Sequence, residues 1–161
     1  MGKTLDHVRA EVARINKEHP GFLKTGAPKA TYPRWYDGVR AGELLLVHSQ
    51  MIKAAYTSDF KKHGREDYWM IDPAGDCEDK AMWVLSELQR RRWADFCMRL
   101  CLCNVKRDGK WYGHAVAQVY LTLSDGSKRY VVSDCLRTTP IFREDGKYRM
   151  FTYLPILEDK P

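Results

Sequence analysis

The sequence predicts an α+β domain, with helices in its first half and an antiparallel sheet of about four strands in its second. Three observations carry that reading. Apolar residues recur at helical spacing as far as about residue 92. Beyond it the apolar period changes to two. Short glycine-containing turns then separate the segments, which suits hairpins rather than crossover connections.

Residues 5–18 read as an amphipathic helix, with Leu5, Val8, Val12 and Ile15 on one side and Thr4 or Asp6 as N-cap. His19-Pro20-Gly21 stops it. Residues 20–42 read as an irregular arm rich in proline and glycine, pinned by Tyr32, Trp35 and Tyr36. A second helix is expected over about 43–57, with Leu44, Val47, His48, Met51, Ile52 and Ala55 on one side. A loop over 58–76 ends in Asp72-Pro73-Ala74-Gly75-Asp76. A third helix is expected from Cys77 to about Arg92, with the stripe Ala81, Val84, Leu85 and Leu88. Strands are expected over 95–105, 112–123, 128–136 and Lys147–Leu154, with turns at Lys106–Lys110 and Ser124-Asp125-Gly126. The whole reads as one domain, 1–161, in which 1–42 is helix and arm and 43–161 is the core.

Composition narrows the function. The chain has 161 residues, 44% of them hydrophobic, which argues against disorder, collagen and coiled coil. No apolar run is long enough for a transmembrane helix. The first 30 residues hold no secretory signal pattern, so a cytoplasmic setting is expected, with Cys77, Cys97, Cys101, Cys103 and Cys135 as free thiols. The net charge is +6, but the basic residues are spread along the chain and the longest run is Arg90-Arg91-Arg92. That spread argues against a nucleic-acid partner.

The informative string is Gly75-Asp76-Cys77-Glu78-Asp79. It places a cysteine at the first turn of a helix, where open N–H groups and the helix dipole favour a thiolate. On position alone, a small buried hydrophobe is the commoner reading of such a cysteine. A nucleophile needs a base and an orienting acceptor, and His114 and Asp134 on the second and third strands are the candidates. A three-residue Ser124-Asp125-Gly126 loop pairs Leu123 with Ser127. Asp134 then lies opposite Val116, two residues from His114 and on the same face. A two-residue loop would put the two side chains on opposite faces.

These residues, with Gly113-His114-Ala115-Val116 and Val131-Val132-Ser133-Asp134, resemble the bacterial transglutaminase-like cysteine peptidases over roughly residues 44–137. The resemblance implies a papain-like triad on a transglutaminase-like core. Cys77 would be the nucleophile, His114 the general base and acid, and Asp134 the orienter. The chain departs from the family pattern at Lys80, often Tyr, and at Cys135, often Asn. With the missing export signal, this points to a divergent cytoplasmic or phage-encoded member. Family members bind calcium through the acidic residues flanking the cysteine, here Asp76 and Glu78. A hard cation would also offset the like charges around Cys77.

The Cys77 backbone N–H is expected in the oxyanion hole, with Trp69 or Tyr68 as a second donor. Cys97, Cys101 and Cys103 share a strand face, and their spacing does not match a zinc ribbon. His48 is expected to face the core, and His7, His19 and His63 the surface or its boundary. The function expected is hydrolysis of a peptide or amide bond in a protein or peptide substrate, through a thioacyl enzyme. Glutamine deamidation or transglutamination uses the same chemistry, and a phage-type binding protein could keep the fold alone. A substrate groove would be built from the 20–42 arm, the 58–72 loop and the 137–147 segment.

Overall fold

Helical spacing in the first half produces α1 (Leu5–Glu18), α2 (Gly38–Lys53) and α3 (Cys77–Arg90). Alternation in the second half produces β1 (Met98–Arg107), β2 (Lys110–Thr122), β3 (Lys128–Ser133) and β4 (Tyr148–Tyr153). The structure is a computed structural model that describes residues 5–20, 22–23, 38–58, 68–93, 98–122, 126, 128–141 and 146–153. The arm around Tyr32, Trp35 and Tyr36 lies outside them, as do His63 and Cys97. No helix among the described residues is long and apolar enough to cross a membrane.

α2 starts five residues earlier than its apolar pattern suggests, at Gly38. Two glycines there cost the helix about 1 kcal/mol each. Packing compensates, because Ala41 is buried and Arg40 lies over the Trp93 ring at 5.6 Å. α2 also ends early, at Lys53. Lys80 reaches across from α3, and its Nζ donates to the carbonyls of Met51 (3.0 Å) and Ala54 (2.9 Å), satisfying the helix end. Ala55, expected on the buried side, is therefore outside the helix and exposed.

α3 stops at Arg90 through a Schellman arrangement. Arg92 takes a left-handed φ of 65°, its N–H bonds the Gln89 carbonyl, and the Trp93 N–H bonds that of Leu88. The stripe Ala81, Val84, Leu85 and Leu88 is buried as its spacing predicts.

The strands form one antiparallel sheet in the order β3-β2-β1-β4. The β1–β2 ladder runs to Arg107↔Lys110, so the expected five-residue turn shrinks to Asp108-Gly109. Both turn residues have positive φ, 49° and 78°, the two-residue hairpin geometry that Asp-Gly favours. The β2–β3 register pairs Ala117 with Ser133 and Thr122 with Lys128, as the three-residue turn requires. Ser124 and Asp125 of that turn lie outside the described residues, and Gly126 has the left-handed φ of 86°. β3 ends at Ser133 rather than 136, because the Arg137 N–H bonds the Asp134 carbonyl and Ile141 returns to bridge Val132.

Each sheet face carries its own apolar cluster. Leu100, Ala117, Val119 and Val131 join the core with the α3 stripe. Cys101, Cys103, Val105, Val116, Val132 and Tyr148 form the other cluster. A register shift in the β1–β4 ladder between Leu102 and Asn104 decides Tyr148's face. With the shift, Tyr148 pairs with Val105. Without it, Arg149 would take that place, and Tyr148 would point the other way.

Candidate active site

The nucleophile candidate is positioned by its neighbours in sequence. Asp76 is the N-cap of α3, and its Oδ1 accepts from the Asp79 N–H at 3.4 Å. Asp79 in turn accepts the Met70 N–H at 2.7 Å, which ties the 68–70 segment to the first turn. Its side chain lies so close over Gly75 that a Cβ there would overlap it. Upstream, Asp72 holds the Ala74 N–H at 2.8 Å, and Lys80 Nζ donates to the Pro73 carbonyl at 2.6 Å. Gly75, Asp76, Asp79 and Lys80 thus fix the entry to the helix, and Cys77 occupies its first position, half-buried.

His114 and Asp134 meet as the register requires. His114 Nε2 and Asp134 Oδ1 are 2.5 Å apart, and both residues are buried. Cys77 is the second residue, after Asp134, whose side chain bears on the His114 charge. Cys77 Sγ donates to Glu78 Oε2 at 3.2 Å. Asp134 also accepts the Leu136 N–H at 2.9 Å and the Tyr148 O–H. Tyr148 comes from β4, at the opposite edge of the sheet from β3. It was not among the residues singled out from sequence, because its direction depends on the β-bulge.

Burial opposes charge on His114, but the bond to Asp134 and the influence of Cys77 outweigh it and raise the ring to about 9. Burial likewise favours neutral Asp134, yet His114, Tyr148 and the Leu136 N–H hold its carboxyl below the usual range. Burial pushes the Cys103 thiol up to about 12, with like charge from Asp134 and Cys77 adding to it. Cys101 and Cys135 are raised by burial as well. A raised pKa disfavours the thiolate at all three near neutral pH.

The other site residues singled out from sequence lie apart from this pair or beside Cys77. Trp69 is fully buried in the core. Tyr68 is half-buried beneath Arg14, whose guanidinium lies 4.1 Å over its ring and donates to the Trp69 carbonyl. The structure sets Trp69's ring among core side chains, and the tie from Met70 to Asp79 brings this segment beside α3. Asp76 and Glu78 are both buried, one capping the helix and the other facing the thiol. His48 is buried in α2, as expected. It receives the Ser133 hydroxyl at 2.7 Å and donates to the Arg137 carbonyl at 2.8 Å, clamping both sides of Asp134. Burial lowers its pKa. His19 is exposed and His7 partly so. Cys135 brings its sulfur within 4.8 Å of the His114 and Asp134 ligand atoms.

No protein-family profile matches the chain, and no curated protein sequence does. Among solved structures, the chain is similar to Legionella pneumophila LapG in its calcium-bound form. The two are 16% identical, with a TM-score of 0.46, and the match covers 86% of this chain and 76% of that one.

The coupled pair predicts a pH dependence. The raised pKa of His114 contributes stability present below its unfolded value of about 6.5 and lost as pH rises through about 9. The depressed pKa of Asp134 contributes stability present above about 3.8 and lost as pH falls through its folded value. Urea melts of the protein and of His114→Gln should therefore diverge at neutral pH and converge by roughly 1–3 kcal/mol between pH 6.5 and 9.5. Parallel curves across that window would remove the ion pair from the account.

Proposed function

We propose that the chain is a cysteine hydrolase acting on a peptide or amide bond of a protein or peptide substrate. The observation that supports this best is the buried His114–Asp134 pair, 2.5 Å apart, with Cys77 the next residue that raises the His114 ring. Each group has the chemistry its role needs. An imidazolium beside a sulfur favours the sulfur's anion. The Cys77 sulfur attacks the carbonyl carbon, its proton having moved to His114 Nδ1. The oxyanion that forms meets the Cys77 backbone N–H, at the positive end of α3. Collapse breaks the C–N bond, and His114 returns the proton to the leaving amine. Water, activated by the same ring, then cleaves the thioacyl bond and releases the acid. Asp134 keeps its charge throughout and holds the ring by Nε2.

Calcium belongs to the proposal as a charge-compensating ion. Asp76, Glu78 and Asp79 are three buried carboxylates within four residues, but their oxygens do not converge within 4.8 Å of one another, so a hard cation would need them to turn toward it. Asp76 and Glu78 would hold it, and it would offset their mutual repulsion beside the sulfur. Chelator-treated protein should melt several degrees higher when millimolar calcium is added, and Glu78→Gln should lose most of that gain. An unchanged melting temperature in the parent protein rules the ion out.

Alkylation tests the nucleophile directly. With iodoacetamide near pH 7 and mass-spectrometric readout, Cys77 should react far faster than the other four thiols. His114→Ala should slow Cys77 by about a hundredfold, the scale of a lost general base. Equal rates for all five cysteines would favour a binding protein that keeps only the fold.

A further inference from the structure

The basic residues that look scattered in sequence are gathered by the sheet. Lys106, Arg107 and Lys110 surround the Asp108-Gly109 turn. The neighbouring strand adds Lys147, whose carbonyl accepts the Lys106 N–H at 2.9 Å, and Arg149, opposite Asn104. All five side chains are exposed, and Asp108 is the one carboxylate of the 106–112 hairpin segment. Two aromatic rings lie among them. Trp111 has the Arg149 guanidinium 4.0 Å from its centroid and Lys106 Nζ at 5.9 Å. Tyr112 is 46% exposed, with Arg107 at 5.8 Å. β2 runs on from this tip through Gly113 to His114. At about 3.4 Å per residue, Lys110 and His114 are about 13 Å apart along the strand.

We propose that this hairpin tip is a docking surface for an acidic segment of an extended polypeptide. The register puts Lys106, Trp111 and Arg149 on one face and Arg107, Lys110 and Tyr112 on the other, so cations surround the turn on both sides, and the open Tyr112 ring offers an apolar contact beside Arg107 and Lys110. Single-stranded nucleic acid fits less well. It needs successive open rings for successive bases, and here Trp111 already carries two cations. The link to turnover rests on the hydrolase reading, because the strand that bears the cations also bears His114. An acidic stretch bound at the tip would lie a few residues from the bond that Cys77 attacks. The docking itself stands apart from catalysis.

The test is fluorescence anisotropy on the full chain. The probes are a fluorescein-labelled peptide of alternating glutamate and glycine, the matching lysine peptide, and single-stranded oligothymidine. The glutamate peptide should bind best, and its affinity should fall at least tenfold in K106E/R107E/K110E and as salt rises past about 0.3 M, where exposed charges are screened. Circular dichroism and the Cys77 alkylation rate should match the parent protein, since the three positions are exposed and outside the triad. Tighter binding of oligothymidine would overturn the proposal in favour of nucleic acid. Equal affinity for the glutamate peptide in parent and variant, or no binding at low salt, would overturn it outright. Neither result touches the alkylation readout, so failure of docking and failure of the hydrolase reading remain separate outcomes.

Discussion

The Asp134 carboxylate is out of reach of water and keeps its charge, and three donors from separate parts of the chain make that possible. The His114 ring comes from β2, the Leu136 N–H from the turn after β3, and the Tyr148 hydroxyl from β4. A bare carboxylate in such a place costs several kcal/mol, so loss of any donor is felt by the whole arrangement. Each donor imposes a condition. The first demands that β2 and β3 keep their register, since a slip of one residue sends Asp134 to the opposite face. The second demands the turn that closes on the Arg137 N–H. The third demands the bulge in the β1–β4 ladder, which turns Tyr148 toward the His114 side. His48 supports the same corner from α2 through Ser133 and the Arg137 carbonyl.

The other half of the site is the first turn of α3, and there the residues around Cys77 divide the work. Asp76 caps, Asp79 binds the incoming 68–70 segment, Gly75 makes room for Asp79, and Lys80 staples the loop and the end of α2 to the helix. Burial lowers the Lys80 pKa, while Cys135 and Asp72 oppose the shift. Three peptide carbonyls solvate its ammonium in place of water. Lys80 thus has a structural task of its own at a position where the resembled family often has Tyr.

Local patterns were legible wherever a local rule governs them. The α3 stripe and the glycine turn follow from spacing and residue type, and the β2–β3 register follows from loop length. That register is what allowed His114 and Asp134 to be paired from sequence. What escaped depends on contacts between distant elements. The early start of α2 reflects packing on Trp93, and its early end reflects Lys80. Tyr148 was hidden because a bulge inverts strand parity, and no residue pattern marks it. The basic hairpin tip escaped for a related reason. Lys106 and Arg149 are far apart along the chain, and only strand pairing brings both to Trp111.

The central claim is that Asp134 holds His114 as a charged partner for Cys77. Nitrogen-15 NMR of the histidine rings, followed through a pH titration, tests it most directly. The account predicts that the His114 ring stays protonated past neutrality and titrates near 9 in the parent protein. In Asp134→Asn, with the carboxylate charge removed, the midpoint should fall by more than one pH unit. A His114 midpoint close to the ordinary histidine value of about 6.5, the same in both proteins, would contradict it.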